Sequence, residues 1–153
     1  MFRAAVTRTA AADYAPDQIA AWVGPDEIDL AAWDVRRRAA HTVVAVLGLR
    51  AGGDQVVGFA DWWDDGLLDM LFVHPDAAGQ GLARRLVDRV LSEARQAGLE
   101  DLHTHASRTA RPVFEHLGFQ VAADRSDHAI RGVIVPNREM RIGLDPGDQP
   151  GRS

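Results

Sequence analysis

Between Gly66 and Gly98 the chain reads GLLDMLFVHPDAAGQGLARRLVDRVLSEARQAG, a stretch compatible with very few folds. Leu67 to Val73 is an apolar run of strand length, and Pro75 ends it because proline has no N–H to give to a ladder. Gly79 and Gly81 then mark a turn whose backbone can take angles closed to other residues and can lie close against a ligand. From Leu82 the pattern becomes helical. Leu82, Ala83, Leu86, Val87, Val90, Leu91 and Ala94 fall on one stripe, Arg84, Arg85, Asp88, Arg89, Glu93 and Arg95 on the other, and Gly98 stands where a helix stops. The first N–H groups of such a helix lack intrahelical partners and the macrodipole is positive there, so the corner from Gly79 to Arg84 is an anion site suited to a pyrophosphate. No Gly-Lys-Ser/Thr follows, which excludes a P-loop. Arg84 occupies the third small position of a dinucleotide fingerprint, and Glu100 and Asp101 precede the next strand instead of ending it, so that reading fits poorly too.

The segment VHPDAAGQGLARRLVDRVLSEA resembles the acetyl-CoA motif of the GNAT superfamily of N-acyltransferases, Arg/Gln-x-x-Gly-x-Gly/Ala between a strand and a helix. Gly81 and Ala83 match the small positions and Leu82 the apolar one between them, while Ala78 stands where Arg or Gln is usual. A second block, Ser107-Arg-Thr-Ala110-Arg-Pro-Val-Phe114-Glu-His-Leu-Gly118-Phe119, is similar to the family's Asn-x-x-Ala-x-x-x-Tyr-x-x-x-Gly-Phe. The resemblance implies an α/β (α+β) fold: a mixed, mostly antiparallel sheet with a splayed parallel strand pair and helices on both faces. It implies acetyl-CoA as cosubstrate, gripped at its diphosphate by Ala78, Gly79, Gln80, Gly81, Leu82, Ala83 and Arg84. Leu71, Phe72, Val73, Ser107 and Phe114 would line the arm and the thioester. It further implies transfer to a primary amine of a small molecule or a protein, and a homodimer is common among such proteins.

Composition narrows the alternatives. The 153 residues suit one domain, here residues 1–144 with a polar Pro- and Gly-rich tail over 145–153, and 46% hydrophobic with 25% charged residues is ordinary for a globular protein. There is no cysteine, which excludes disulfides, an acyl-cysteine intermediate and thiolate metal sites and is compatible with the cytoplasm. No apolar run reaches the ~20 residues of a membrane span. A formal charge of −5 speaks against a nucleic-acid partner and only weakly for cationic acceptors.

In chain order, residues 1–12 predict a helix, with two further short helices over Asp17–Val23 and Asp26–Trp33, each behind a proline. The family normally has a strand before the first helix; its apparent lack here implies an incomplete N-terminus or a sheet without one edge strand. Tyr14, Trp22 and Trp33 either line the acceptor pocket or pack the helices onto the sheet. Strands follow at Thr42–Leu49 and Gln55–Trp62, joined to Leu67–Val73 by short turns and therefore an antiparallel meander. Asp101–Ala106 is reached by a helical crossover and is therefore parallel to Leu67–Val73. Arg108–Leu117 predicts the last helix, and Phe119–Ala123 with Gly132–Leu144 a closing hairpin, Pro136 at a bulge or edge.

Acetyl transfer to an amine needs a polarised thioester carbonyl, a neutral amine and a proton for the departing thiolate. Unpaired amides near Leu71 to Val73 serve the first. Asp69 is a candidate base: strand alternation puts it on the face of Leu67, Leu71 and Val73, among apolar neighbours that would raise its pKa. His103 and His105 share one face of their strand, and His105 is the other candidate; no third ligand stands at metal spacing, so no metal is expected. Phe114 cannot supply a proton. Either another group or water does so, or the thiolate leaves unassisted, or the protein is a CoA-binding regulatory module with little turnover. Transfer to a hydroxyl is a further alternative.

Overall fold

The computed structural model describes residues 2–25, 29–49 and 53–145. Helix α1, Phe2–Thr9, passes into a 3-10 turn at Ala10–Ala12, so the predicted opening helix tightens in its last turn. Helix α2 spans Pro16–Val23, with Pro16 at its first position and the Ala15 N–H donating to Gln18 Oε1 at 2.9 Å. Helix α3 departs from expectation: it runs Leu30–Ala39, not Asp26–Trp33. Asp29, read as a helical residue, is the N-cap, its Oδ1 accepting the Ala32 N–H at 3.0 Å. Residues 26–28 lie outside the described set.

Strands β1 (His41–Leu49), β2 (Gly53–Trp62) and β3 (Leu67–Val73) form the expected antiparallel meander. A 3-10 turn, Pro75–Ala77, leads through the glycine corner into helix α4, Leu82–Gln96. Strand β4, Asp101–Ser107, returns parallel to β3. Helix α5 is only Arg111–His116, shorter than the predicted Arg108–Leu117 because Ser107 to Ala110 forms a turn closed by the Ala110 N–H on Ser107 Oγ. The closing hairpin is also more elaborate than predicted. Strand β5, Gln120–Arg125, pairs with β8, Asn137–Gly143, and a small hairpin of β6 (Ala129–Ile130) and β7 (Val133–Ile134) interrupts them. Pro136 lies between β7 and β8, in neither strand. The main sheet runs β1-β2-β3-β4-β8-β5, and no strand precedes α1 among the described residues.

The two faces are covered differently. Ala60, Trp62, Leu68, Leu102, Ala106 and Met140 point to one face and meet the buried stripe of α4, Leu86, Val87, Val90, Leu91 and Ala94, with Phe114 of α5 beside them. Each large aliphatic side chain so buried stabilises the fold by about 1.5–3 kcal/mol. On the other face Phe72 packs with Val6 and Ala10 of the opening helix, Tyr14, and Ile19 and Trp22 of α2.

Two features shape the middle of the sheet. Strands β3 and β4 are in register only at Leu67↔His103 and Leu68↔Thr104 and part beyond that point. Thr104, buried on the α4 side, donates its hydroxyl to the Leu68 carbonyl oxygen at 2.8 Å, occupying the acceptor where the ladder ends. The second feature is a bulge. The pairs Asp61↔Met70 and Trp62↔Leu68 leave Asp69 without a partner on β2. Two residues of β3 thus oppose one of β2, and Asp69 turns to the face opposite Leu71 and Val73, correcting the side assigned by simple alternation.

Candidate functional site

The corner before α4 is backbone laid open. Gly79 and Gly81 have φ of 76° and 72°, left-handed conformations, and a Cβ at either would meet nothing within 4 Å. The first intrahelical bond is Arg85 N–H to Gly81 O at 3.1 Å, so the amides of Leu82, Ala83 and Arg84 precede the ladder and are free to hold an anion. Gly81 is the N-cap and has no side chain to compete for them. A diphosphate therefore fits this corner without help from Ala78, whose own N–H is engaged by the Pro75 carbonyl oxygen at 3.2 Å.

From the corner a cavity of about 310 Å³ runs into the gap where β3 and β4 separate. Nine residues expected to contact the cofactor border it: Leu71, Phe72, Val73, Ala78, Gly79, Gly81, Leu82, Ala83 and Ser107. Ala5, Val6 and Trp22 close it from the α1 and α2 side. Gln80 and Arg84 are exposed at the corner, outside this lining. Phe114 is not brought to the cavity either. It is 3% exposed in the core, its ring 5.1 Å from that of Phe119 in an edge-on contact. Ser107 serves two ends, facing the cavity while its Oγ accepts the Ala110 N–H at 3.1 Å.

Asp69 and His105 each stand one residue past the last register pair of β3 and β4, both on the face away from α4, and neither borders the cavity. The Asp69 carboxylate is held by Arg36 at 3.0 Å and Arg37 at 3.6 Å, from α3. Arg37 also pairs with the fully buried Asp61, whose Oδ1 accepts the Thr42 hydroxyl at 2.7 Å. Asp69 thus ties α3 to the parting strand. His105 is in a different setting. It is exposed, yet the partial desolvation of its ring against the sheet lowers its pKa below the ordinary imidazole value. Arg125 lowers it further against the opposing pull of Glu139, and His103 and His128 add smaller lowering effects. The ring is therefore neutral at pH 7 and able to take a proton. His103 is its neighbour, with ring centroids 6.3 Å apart.

Two residues that sequence reasoning did not single out in these roles complete the site. Tyr14 is buried, and its hydroxyl donates to the Pro136 carbonyl oxygen at 2.7 Å and accepts the Arg108 N–H at 2.8 Å, binding the α1–α2 connection to the ends of β4 and β7. Arg125, at the end of β5, lies over the histidine side of the sheet and donates to Asn137 Oδ1 at 3.3 Å. Of the three aromatics weighed for the acceptor pocket, only Trp22 borders the cavity; the Trp33 ring is tilted against Phe2 at 6.2 Å, with the Arg37 guanidinium over it at 5.0 Å.

Comparison with known proteins agrees with this geometry. The model of the acetyltransferase (GNAT) domain matches residues 10–134. The chain is 33% identical over 141 residues to the Uncharacterized N-acetyltransferase YafP of Escherichia coli (strain K12), covering 92% of this chain and 84% of that protein. Its fold matches a GCN5-related N-acetyltransferase structure from Rhodopseudomonas palustris with a TM-score of 0.83 at 29% identity, over 94% of this chain and 85% of the other. It also matches the putative acetyltransferase yncA of Salmonella typhimurium, solved with its cofactor acetyl-CoA, with a TM-score of 0.64 at 24% identity over 99% and 89% of the two chains. With a domain match that covers most of its length and a relative at this identity, the chain belongs to the GNAT acetyltransferase family.

Proposed function

We propose that this protein is an acetyl-CoA-dependent N-acetyltransferase that transfers the acetyl group directly to a primary amine. The observation that carries the reading is the continuity of an unobstructed helix N-terminus with a cleft opened by a parallel ladder only two pairs long. Bound acetyl-CoA supplies an activated acetyl thioester. The amides from Gly79 to Arg84 hold its diphosphate, Leu71 to Val73 and Ser107 flank its arm, and the unpaired β3 edge offers N–H groups to the carbonyl oxygen. Trp22, Val6 and Leu71 wall water out of the cleft.

His105 acts as the base that keeps the attacking amine neutral. In the net exchange a C–N bond replaces the C–S bond. The electron pair of the broken bond leaves on sulfur, and the proton shed by the amine passes to His105 and on to solvent, from which sulfur is protonated. Asp69 is on the same face, but with two guanidiniums on its carboxylate it is better suited to holding α3 over the cleft than to taking a proton. Phe114, enclosed in the core, takes no part in the proton balance.

Release of free thiol from acetyl-CoA across a panel of amines tests the proposal, with product mass showing acetylation at nitrogen. The sequestered Phe114 favours one competing reading, a CoA-binding regulatory module. Tight CoA binding with no thiol released on any amine would establish that reading instead.

A further inference from the structure

The arginines on the sheet face away from α4 are mostly matched by acids. Arg36 and Arg37 meet Asp69 and Asp61, and Arg141 meets Glu139 at 2.8 Å and Asp101 at 3.3 Å. Arg125 is not. It is half-buried, and its guanidinium contacts only neutral groups, Asn137 Oδ1 at 3.3 Å and His128 Nδ1 at 3.4 Å, with no carboxylate partner among the described residues. A guanidinium has five N–H donors, so most of its capacity remains open. Arg108, also without a carboxylate partner among the described residues, is already committed to the Asp13 carbonyl oxygen at 3.3 Å and to the Tyr14 ring, 5.5 Å from its centroid.

The position of Arg125 relates it to the reaction. In the sheet register it lies opposite Asn137, which lies opposite Ser107 at the mouth of the cofactor cleft. With neighbouring strands about 4.8 Å apart, its backbone is on the order of 10 Å from the cleft, and its side chain reaches part of the way back. The guanidinium is close enough for its charge to act on the His105 ring. A partly buried cation left without a counter-ion is costly, and such exceptions to charge pairing concentrate where a ligand completes the set.

We infer that the acceptor is a small amine bearing a carboxylate, an amino-acid-like molecule whose carboxylate pairs with Arg125 while its amine faces His105. This rests on the acetyltransferase reading above and adds the substrate class. A carboxylate suits the site better than a phosphate dianion, because one guanidinium is offered and Glu139 stands on the adjacent strand. A polycation is disfavoured for the same local reason, despite the chain's overall charge of −5.

The test compares L-amino acids with their carboxamides and with the corresponding decarboxylated amines, for the wild-type protein, Arg125→Gln and Arg125→Lys, each checked for folding by circular dichroism. Wild-type kcat/KM is expected to be at least about tenfold higher on the carboxylate members, with each tenfold equal to about 1.4 kcal/mol. At pH 8, above the acidic limb ascribed to His105, Arg125→Gln should remove that preference through KM, the carboxylate series losing far more than the amides, and Arg125→Lys should keep part of it. Calorimetric titration of the same amino acids onto the protein saturated with CoA gives a readout independent of turnover: binding to wild type and loss of it in Arg125→Gln is expected. Equal rates on all three series, or an equal loss on all three in Arg125→Gln, overturns the substrate class and leaves acetyl transfer standing. Failure of every amine to release thiol, with amino-acid binding retained, overturns the transferase reading alone.

Discussion

The hydroxyl of Tyr14 joins residues 94 and 122 positions away, at Arg108 and Pro136, so nothing local in the sequence marks it out. Tyr14→Phe removes both hydrogen bonds while keeping the ring, and should destabilise the protein by about 1–3 kcal/mol in urea unfolding, since a buried N–H and carbonyl lose their partner. The glycine corner was legible for the opposite reason. The grip proposed for it rests on main-chain groups within six consecutive residues, and the left-handed Gly79 and Gly81 mark that corner directly. His105 was also legible as a candidate from spacing alone, but the lowering of its pKa depends on crowding from other strands and, second, on Arg125. Because that pKa is lowered, the free base persists to lower pH than for an ordinary imidazole. Activity as kcat/KM should rise with pH through a midpoint below 6.5 and then level off. His105→Gln should lose the acidic limb and about 10²- to 10⁴-fold in rate; an unchanged profile would remove His105 from the mechanism.

At the scale of the elements, periodicity found the meander, the crossover helix and the parallel return strand, because each shows in side-chain spacing of two or 3.6. It missed the start of α3, where Asp29 as a cap outweighed the proline four residues earlier, and the bulge at Asp69, which no alternation pattern contains. That bulge turns Asp69 to the guanidiniums of α3, joining the helix to β3. The joint is anchored by the buried Arg37 and Asp61 pair. Arg37→Met leaves Asp61 enclosed without its cation and should cost about 3–5 kcal/mol, with α3 loosening first in hydrogen exchange. A cost below 1 kcal/mol would show that α3 is held by its apolar contacts instead.

For the whole molecule, the two histidines over the sheet couple stability to pH. Crowding, reinforced by Arg125, lowers the pKa of both His105 and His128, so the unfolded chain binds more protons than the folded one below pH 6.5. Stability therefore falls as pH drops through that value towards the folded pKa values, and urea midpoints should be lower at pH 5.5 than at 7.5. Replacing both histidines by glutamine should flatten the difference. The central claim, that main-chain amides of one glycine corner hold the diphosphate of coenzyme A, is tested most directly by calorimetric titration of CoA onto the wild-type protein and Gly81→Glu. Gly81 is exposed with open space around it, so the cost of Gly81→Glu is the left-handed backbone alone, about 1–2 kcal/mol, and a melting curve verifies that the variant folds. The account predicts a heat of binding for the wild type below ~1 mM and at least about a tenfold loss in Gly81→Glu. No heat for the wild type at that concentration, or undiminished affinity in the variant, would contradict it.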